Sequence, residues 1–435
     1  MRLGGRLAAA IEILAGMEAR PQPSSVALQD WAKAHRFAGS GDRGAIGSIV
    51  HDALRNKLSN AWQLGDDGQN SQNDTIRLSA WGALLFQWGL NLDELEVQFA
   101  GEPHAPEPLS EAAIKAYSTR QLKDAPDHVR ANMPEALLAR FKPAFGDDWE
   151  RELAAFAGRP ALDLRANTLK ATRAKALEDL AMHGAVAAPV AKNAMRIAPS
   201  IGEQRLPNVT AEPAFARGHY EVQDLGSQIA GALVDVEENS QVLDYCAGAG
   251  GKTVAIAAAM QNTGVIHAYD VDRRRLSPMI ERMTRAGATN IELVERPEKL
   301  NPLAGKMDRV IVDAPCTGTG TWRRRPDIKW RLSENNLATR LNDQAKVLDE
   351  ASRYVKPGGR LIYITCSILP EENAAQVDAF LSRNLKFKVL PIAPLWQKLF
   401  GAEMGGHALQ SGQGIMLTPA SMGTDGFFIA VMEAS

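Results

Sequence analysis

Two short segments hold the side chains best suited to covalent chemistry. Val312-Asp313-Ala314-Pro315-Cys316-Thr317-Gly318-Thr319-Gly320 and Ile364-Thr365-Cys366-Ser367 each end an apolar, β-branched run, and they carry two of the three cysteines in 435 residues. A thiolate can form and later release a covalent intermediate, so a cysteine beside an aspartate at a strand end suits nucleophilic catalysis. One such cysteine is more often a small apolar filler. Two of them at the ends of neighbouring strands shift the reading toward chemistry. The third, Cys246, reads as a small residue lining a turn.

That turn is Cys246-Ala247-Gly248-Ala249-Gly250-Gly251-Lys252-Thr253, followed by the helix-prone AIAAAM. Glycines permit a tight strand-to-helix passage and close backbone approach by a ligand. Asp270 lies twenty residues past Gly250, at the end of the next apolar run, where a carboxylate can accept hydrogen bonds from a ribose hydroxyl. Together these imply a nucleoside-containing cofactor. The spacing matches neither GxGxxG nor GxxxxGK[ST], which makes a dinucleotide or a triphosphate the lesser reading.

A third feature is Thr321 to Arg331, TWRRRPDIKWR, with five basic residues, one acidic residue and two tryptophans. By itself such a run reads as solvated basic surface. Its place directly behind the Asp313 and Cys316 segment favours a nucleic-acid contact. There Arg323, Arg324, Arg325, Lys329 and Arg331 would hold phosphates and Trp330 would stack on an unpaired base. Glu371 and Glu372, just past Cys366, read only as residues favouring a helix N-terminus.

The elements that must position these groups form an alternating pattern. Apolar runs at 241–246, 265–269, 291–294, 309–312 and 360–365 alternate with helix-compatible stretches, the pattern of a doubly wound α/β sheet whose ligands sit at the strands' carboxyl ends. Segments 386–390 and 427–432 are candidate further strands. Before them, a short helix to Gly158, strands at 162–168 and 194–197 and a helix capped by Thr172 suggest a small α+β unit. Residues up to about 140 read as helical: an apolar face at Leu3, Leu7, Ile11 and Leu14, a helix near 46–57 that Ser40 and Asp42 can cap, and another over 76–88. A polar insert, 65–74, separates the last two. The implied domains are 1–140, 141–212 and 213–435.

Composition sets limits. With 45% hydrophobic and 23% charged residues the chain is ordinary globular protein, and a net charge of -2 argues against coating nucleic acid through overall positive charge. Three widely spaced cysteines support neither a disulfide framework nor a zinc site, and no metal is expected. Glu12 interrupts the apolar stretch near the N-terminus, which reads as an amphipathic helix rather than a signal peptide. No run is long and apolar enough to span a bilayer. A cytoplasmic monomer is the expectation.

Residues 220 to 435 resemble the Sun/Fmu-type RNA (cytosine-5-)methyltransferase family, the RsmB-like members of the NOL/NOP/Sun class. The resemblance rests on VQDLGSQ, CAGAGGKT, DAPCTGTG, RRRPDIKW, TCSILPEEN and TDGFF in that order. LRANTLKATRAKAL resembles the family's small pre-catalytic α+β domain, and FAGSGDRGAIGSIVHDALR more weakly resembles the NusB-like helical domain of its bacterial ribosomal members. The implied fold is a Rossmann-like class I methyltransferase domain preceded by these two. The implied cofactor is S-adenosylmethionine, held by residues 246–252 (Cys246, Ala247, Gly248, Ala249, Gly250, Gly251 and Lys252), by Asp270 and Asp313, and by Glu295 where the family commonly has an aspartate. The resemblance further implies that Cys366 is the nucleophile, that Cys316 assists its release, that Asp313 holds the base and that Lys252 helps position it or its proton. The implied partner is RNA, with small-subunit ribosomal RNA favoured; the alternatives are a tRNA-directed relative or a catalytically silent RNA-binding assembly factor. The cofactor turn departs from the usual Ala-Ala-Pro-Gly-Gly, since Gly248 and Ala249 replace its second alanine and its proline while the paired glycines remain.

Overall fold

The computed structural model describes residues 1–401 and 404–435 and divides into two compact units. The first comprises Met1–Pro160 together with Pro199–Leu206 and Thr321–Leu332. Its core is built by helices Leu3–Ala19, Ser24–Ala34, Ser40–Arg55 and Gln72–Gly82, which bury Leu7, Ile13, Trp31, Ile46, Ile49 and Trp81. Ser24–Ala34 was not among the expected helices; it starts behind Pro23 without a side-chain cap. Asp42 accepts from the Gly39 amide at 3.2 Å, so Gly39 rather than Ser40 is the cap residue. The polar insert is irregular as far as Ser71, whose hydroxyl caps the next helix.

One buried ionic group ties this unit together. Asp52, 1% exposed, accepts from Arg55 at 2.8 Å, from the Trp88 indole at 3.0 Å and from Arg159 through both carboxylate oxygens. A buried carboxylate is tolerable only when its lone pairs are satisfied in this way.

The second unit, Ala161–Ala198 with Pro207–Gly320 and Ser333–Ser435, holds two sheets. Strands β1 (Leu162–Ala166), β2 (Val186–Ala187), β3 (Ala194–Ile197) and β4 (Tyr220–Val222) form an antiparallel sheet in the order β2-β3-β1-β4. Thr172 caps the helix Arg173–Asp179 by accepting from the Lys175 amide. β1 stops at Ala166, short of the expected 168, because the buried Asn167 turns the chain; its side-chain amide donates to Gly218 O and Ala286 O, both at 2.8 Å.

The larger sheet has nine strands: β5 (Gln241–Asp244), β6 (Val265–Tyr269), β7 (Ile291–Val294), β8 (Met307–Asp313), β9 (Val355–Thr365), β10 (Phe387–Val389), β11 (Leu409–Ser411), β12 (Gly414–Leu417) and β13 (Phe427–Ala434). The order β7-β6-β5-β8-β9 is parallel throughout; β13, β12 and β11 continue it antiparallel, and β10 pairs with β13. Val242, Leu243, Val310, Ile311, Val312 and the run Leu361–Ile364 are all fully buried, as central strands covered on both faces require. This is the Rossmann-like α/β fold, preceded in the chain by a small α+β unit and a helical region. The chain runs outward from β5 to β7 and then returns to β8, so the switch point lies between β5 and β8. Ligands of such sheets bind outside the carboxyl ends of those two strands. Among the described residues no helix is long and apolar enough to cross a membrane.

Asp244 closes β5 in this crevice. It is 1% exposed and accepts from the Thr253 hydroxyl at 2.7 Å, which ties the strand end to the helix Gly251–Ala259. Burial pushes its carboxyl up to about 7.

Both buried carboxylates can be tested through stability. Asp52→Ala leaves Arg55 and Arg159 without their counter-charge and should cost about 3 kcal/mol or more, read as a lower urea midpoint; an unchanged midpoint would show that the pair contributes nothing. For Asp244 the folded carboxyl lies above its unfolded value of 3.8, so its contribution is full below about pH 4 and fades as pH rises toward 7. Urea denaturation of wild type and Asp244→Asn should therefore show the variant gaining on the wild type across that window, by up to a few kcal/mol. A flat difference would mean that Asp244 is ionised throughout.

Candidate active site

The register of β8 against β9 determines which groups meet. Asp313 lies opposite Ile364, and the Ala314 amide donates to Ile364 O at 2.8 Å, so the two segments leave the sheet side by side. Beyond the strand ends, the Gly320 amide donates to Cys366 O at 3.0 Å, the Thr319 and Ser367 hydroxyls lie 2.9 Å apart, and Thr319 accepts from the Ile368 amide at 2.9 Å. These cross-links leave the Cys316 and Cys366 sulfurs 3.3 Å apart, both half-buried. The Cys316 thiol is pushed well up, first by its hydrogen bond to Cys366, then by burial, by the charge of Cys366 and, behind these, by that of Glu372.

Lys252, on the first turn of the helix Gly251–Ala259, places its Nζ 2.7 Å from Asp313 Oδ2 and 5.3 Å from the centre of the Phe427 ring. Burial pulls the ammonium down, but the Asp313 charge and hydrogen bond outweigh it and the value is raised. The site therefore offers a held cation and a carboxylate beside two thiols. TDGFF closes it from the other side: the Gly426 amide donates to Gly320 O at 2.8 Å, and a Cβ on Gly320 would lie 2.1 Å from Gly426 O. VQDLGSQ is structural: Asp224 caps the helix Leu225–Ala232, and the Gln223 side-chain amide lies 3.4 Å from Gly251 O.

The glycine-rich turn has the shape of a cofactor cradle. Gly248 and Gly250 take φ of +51° and +79°, and a Cβ on Gly250 would lie 2.6 Å from Met279 Cγ. Asp270 is buried at the end of β6 and accepts from the Gly248 amide and the Asp272 amide, each at 3.0 Å, with Arg275 at 3.1 Å. A carboxylate and a bare backbone turn at adjacent strand ends fit a nucleoside. Ala247 is buried and Ala249 exposed. Glu295 follows β7, which pairs with β6 so that Val294 faces Tyr269; its side chain is exposed. Cys246 is half-buried, and burial holds its thiol well up, which suits an inert lining residue. Among the described residues no cluster could hold a metal ion.

The basic run departs from expectation. It belongs to the helical unit and is not an open loop. Arg323 and Lys329 are buried, at 5% and 3% exposure. Lys329 Nζ donates to Arg55 O at 3.2 Å, the Trp330 indole donates to Leu54 O at 2.8 Å and Arg331 pairs with Asp327 at 2.6 Å. Trp322, 1% exposed, packs edge-on against Phe141 and Phe156. The apolar surroundings of the helices drew these side chains inward, leaving Arg325 exposed and Arg324 partly so.

Sequence reasoning also missed Glu372. It is fully buried in the turn Pro370–Glu372 and accepts from Thr317 and Gln344 instead of facing the following helix. A single short turn has no periodicity from which burial could be read.

Residues 231–433 match the family model described as 16S rRNA methyltransferase RsmB/F, and residues 133–201 match that described as Methyltr_RsmF/B-like, ferredoxin-like domain. Ribosomal RNA small subunit methyltransferase B of Salmonella arizonae is 37% identical over 283 residues, covering 62% of this chain and 64% of that protein, so the match spans less than two-thirds of the relative's length. The crystal structure of PH0851 covers 100% of this chain and 99% of its own, with a TM-score of 0.71 at 24% identity, and shares the fold. A methyltransferase homolog protein from Pyrococcus horikoshii covers 71% of this chain and 98% of its own, with a TM-score of 0.58 at 27% identity. Residues 231–433, which carry the paired thiols, are thus similar to the RsmB/F methyltransferases.

Proposed function

We propose that this protein is an S-adenosylmethionine-dependent RNA methyltransferase that methylates carbon 5 of a cytosine in small-subunit ribosomal RNA through a transient bond between Cys366 and carbon 6. The observation that carries this reading is the pair of sulfurs 3.3 Å apart beside the Lys252–Asp313 pair. Carbon 5 of cytosine is a weak nucleophile, and addition of a thiolate at carbon 6 makes it enamine-like. Cys366, the nucleophile that the family resemblance implies, forms that bond. As the ring electrons shift, negative charge develops at nitrogen 3, and the Lys252–Asp313 pair supplies the positive charge and hydrogen bonding that hold it. Residues 246–252 and Asp270 would hold the cofactor, which would supply an electrophilic methyl group. Water takes the proton from carbon 5, the freed electron pair restores the double bond between carbons 5 and 6, and Cys366 leaves as thiolate, with Cys316, in contact with that sulfur, assisting the release. The target base must be unpaired or flipped out to expose carbons 5 and 6.

The helical unit is assigned an accessory RNA-binding role through Arg324 and Arg325. Because Arg323 and Lys329 are buried, the double change of Arg324 and Arg325 to alanine should lower RNA affinity and flatten its salt dependence by up to about two counterions. Fold and cofactor affinity should be kept. An unchanged salt slope would remove these side chains from the RNA contact.

The two thiols occupy opposite ends of one reaction path, which gives the central test. Cys366→Ala should abolish methylation and every covalent RNA adduct. Cys316→Ala should allow attack and methyl transfer but impede release, so that a protein-RNA adduct accumulates and survives denaturing electrophoresis. An adduct that needs Cys316 and not Cys366 reverses the assignment, and full activity in both variants rules out covalent catalysis.

A further inference from the structure

Six residues past Cys366, the Glu372 side chain is fully buried beneath the turn that carries the other thiol. One carboxylate oxygen accepts from the Thr317 amide at 2.7 Å and from Gln344 Nε2 at 2.9 Å; the other accepts from the Thr317 hydroxyl at 2.5 Å. Gln344 Nε2 also donates to Pro315 O at 3.0 Å. The carboxylate is thus bound to the residue after Cys316, and through Gln344 it is linked to the residue before. Glu372's own backbone carbonyl accepts from the Tyr363 hydroxyl at 2.7 Å, which fixes the turn from the strand beneath.

Two cysteines have the same intrinsic acidity, and with their sulfurs 3.3 Å apart they cannot both ionise at ordinary pH. Something must decide which one does. A buried negative charge raises the cost of a thiolate close to it, and a nearby cation lowers that cost. Glu372 stands on the Cys316 side of the pair, while the Lys252 ammonium is stabilised by charge on Cys366. Also nearby are Asp313, which is held by Lys252 at the end of β8, and Tyr363, which senses the charge of Cys316 and of Glu372. Glu372 is set apart from these by its direct hydrogen bonds to the Cys316 turn.

We propose that Glu372 is a positioning residue that keeps the proton on Cys316 and thereby assigns the thiolate to Cys366. The raised Cys316 thiol, with Glu372 among its causes, agrees with this. The proposal rests on the reading of Cys366 as nucleophile, and it supplies the reason that two chemically equal groups take different roles.

The test uses the full chain without RNA or cofactor, so its outcome is separate from whether the protein methylates cytosine. Iodoacetamide labelling between about pH 6 and 10, resolved to each cysteine by mass spectrometry, reports thiolate at each site. In the wild type Cys366 should label at lower pH than Cys316. Glu372→Gln should move the Cys316 profile to lower pH, so that at a fixed pH below its midpoint Cys316 labels about tenfold faster than in the wild type. Glu372→Asp keeps the charge and should keep the wild-type order. Wild-type labelling of Cys316 before Cys366 overturns the proposal, as does identical behaviour of the Gln and Asp variants. Even where the Gln variant fails to fold, a wild-type order with Cys316 first overturns the proposal. Failure of the methyltransferase reading would look different: no methylation, with the labelling order intact.

Discussion

Parallel pairing of β8 with β9, in the register that sets Asp313 opposite Ile364, is the constraint on which the site depends. Side chains alternate faces along a strand, so a slip by one residue would turn the whole buried set outward and carry Asp313 and the Cys366 segment out of register with each other. Fully buried branched side chains on both strands make such a slip expensive. The sheet thus transmits core packing into sulfur-to-sulfur distance. The hydrogen bonds beyond the strand ends, donated by Gly320 and accepted by Thr319 and Glu372, act only on segments that the register has already brought together.

The central strands were readable because a buried parallel sheet demands continuous β-branched runs, and those at 241–246, 265–269, 291–294, 309–312 and 360–365 fall on β5 to β9. β11 and β12 were not. They are three and four residues long, flank a glycine turn, and owe their pairing to β13 rather than to local preference. Helix Ser24–Ala34 likewise lacks a side-chain cap to announce it.

The site divides along the same line. Cys316, Cys366, Asp313 and Lys252 stand in short blocks at strand ends, where residue type and position are both visible in the sequence. Glu372 stands in such a block too, but its meaning depends on burial, which is a tertiary property. Charge misled in the opposite direction at Arg323 and Lys329. Basic residues are normally solvated, and only the surrounding helices, distant in sequence, reveal that Lys329 lies over the rings of Trp322 and Trp330.

That last arrangement bears on modularity. Twelve residues, Thr321–Leu332, leave the nine-stranded unit immediately after Gly320 and complete the interior of the helical unit, with Ser24, Arg55 and Leu54 as partners. The helical unit is consequently not a detachable appendage defined by its position in the sequence. A chain cut near residue 160 would retain a segment bearing Trp322, Lys329 and Trp330 with nothing to enclose it, inserted between the two cysteines. Any removal of the N-terminal region would therefore have to be matched by change in this insertion.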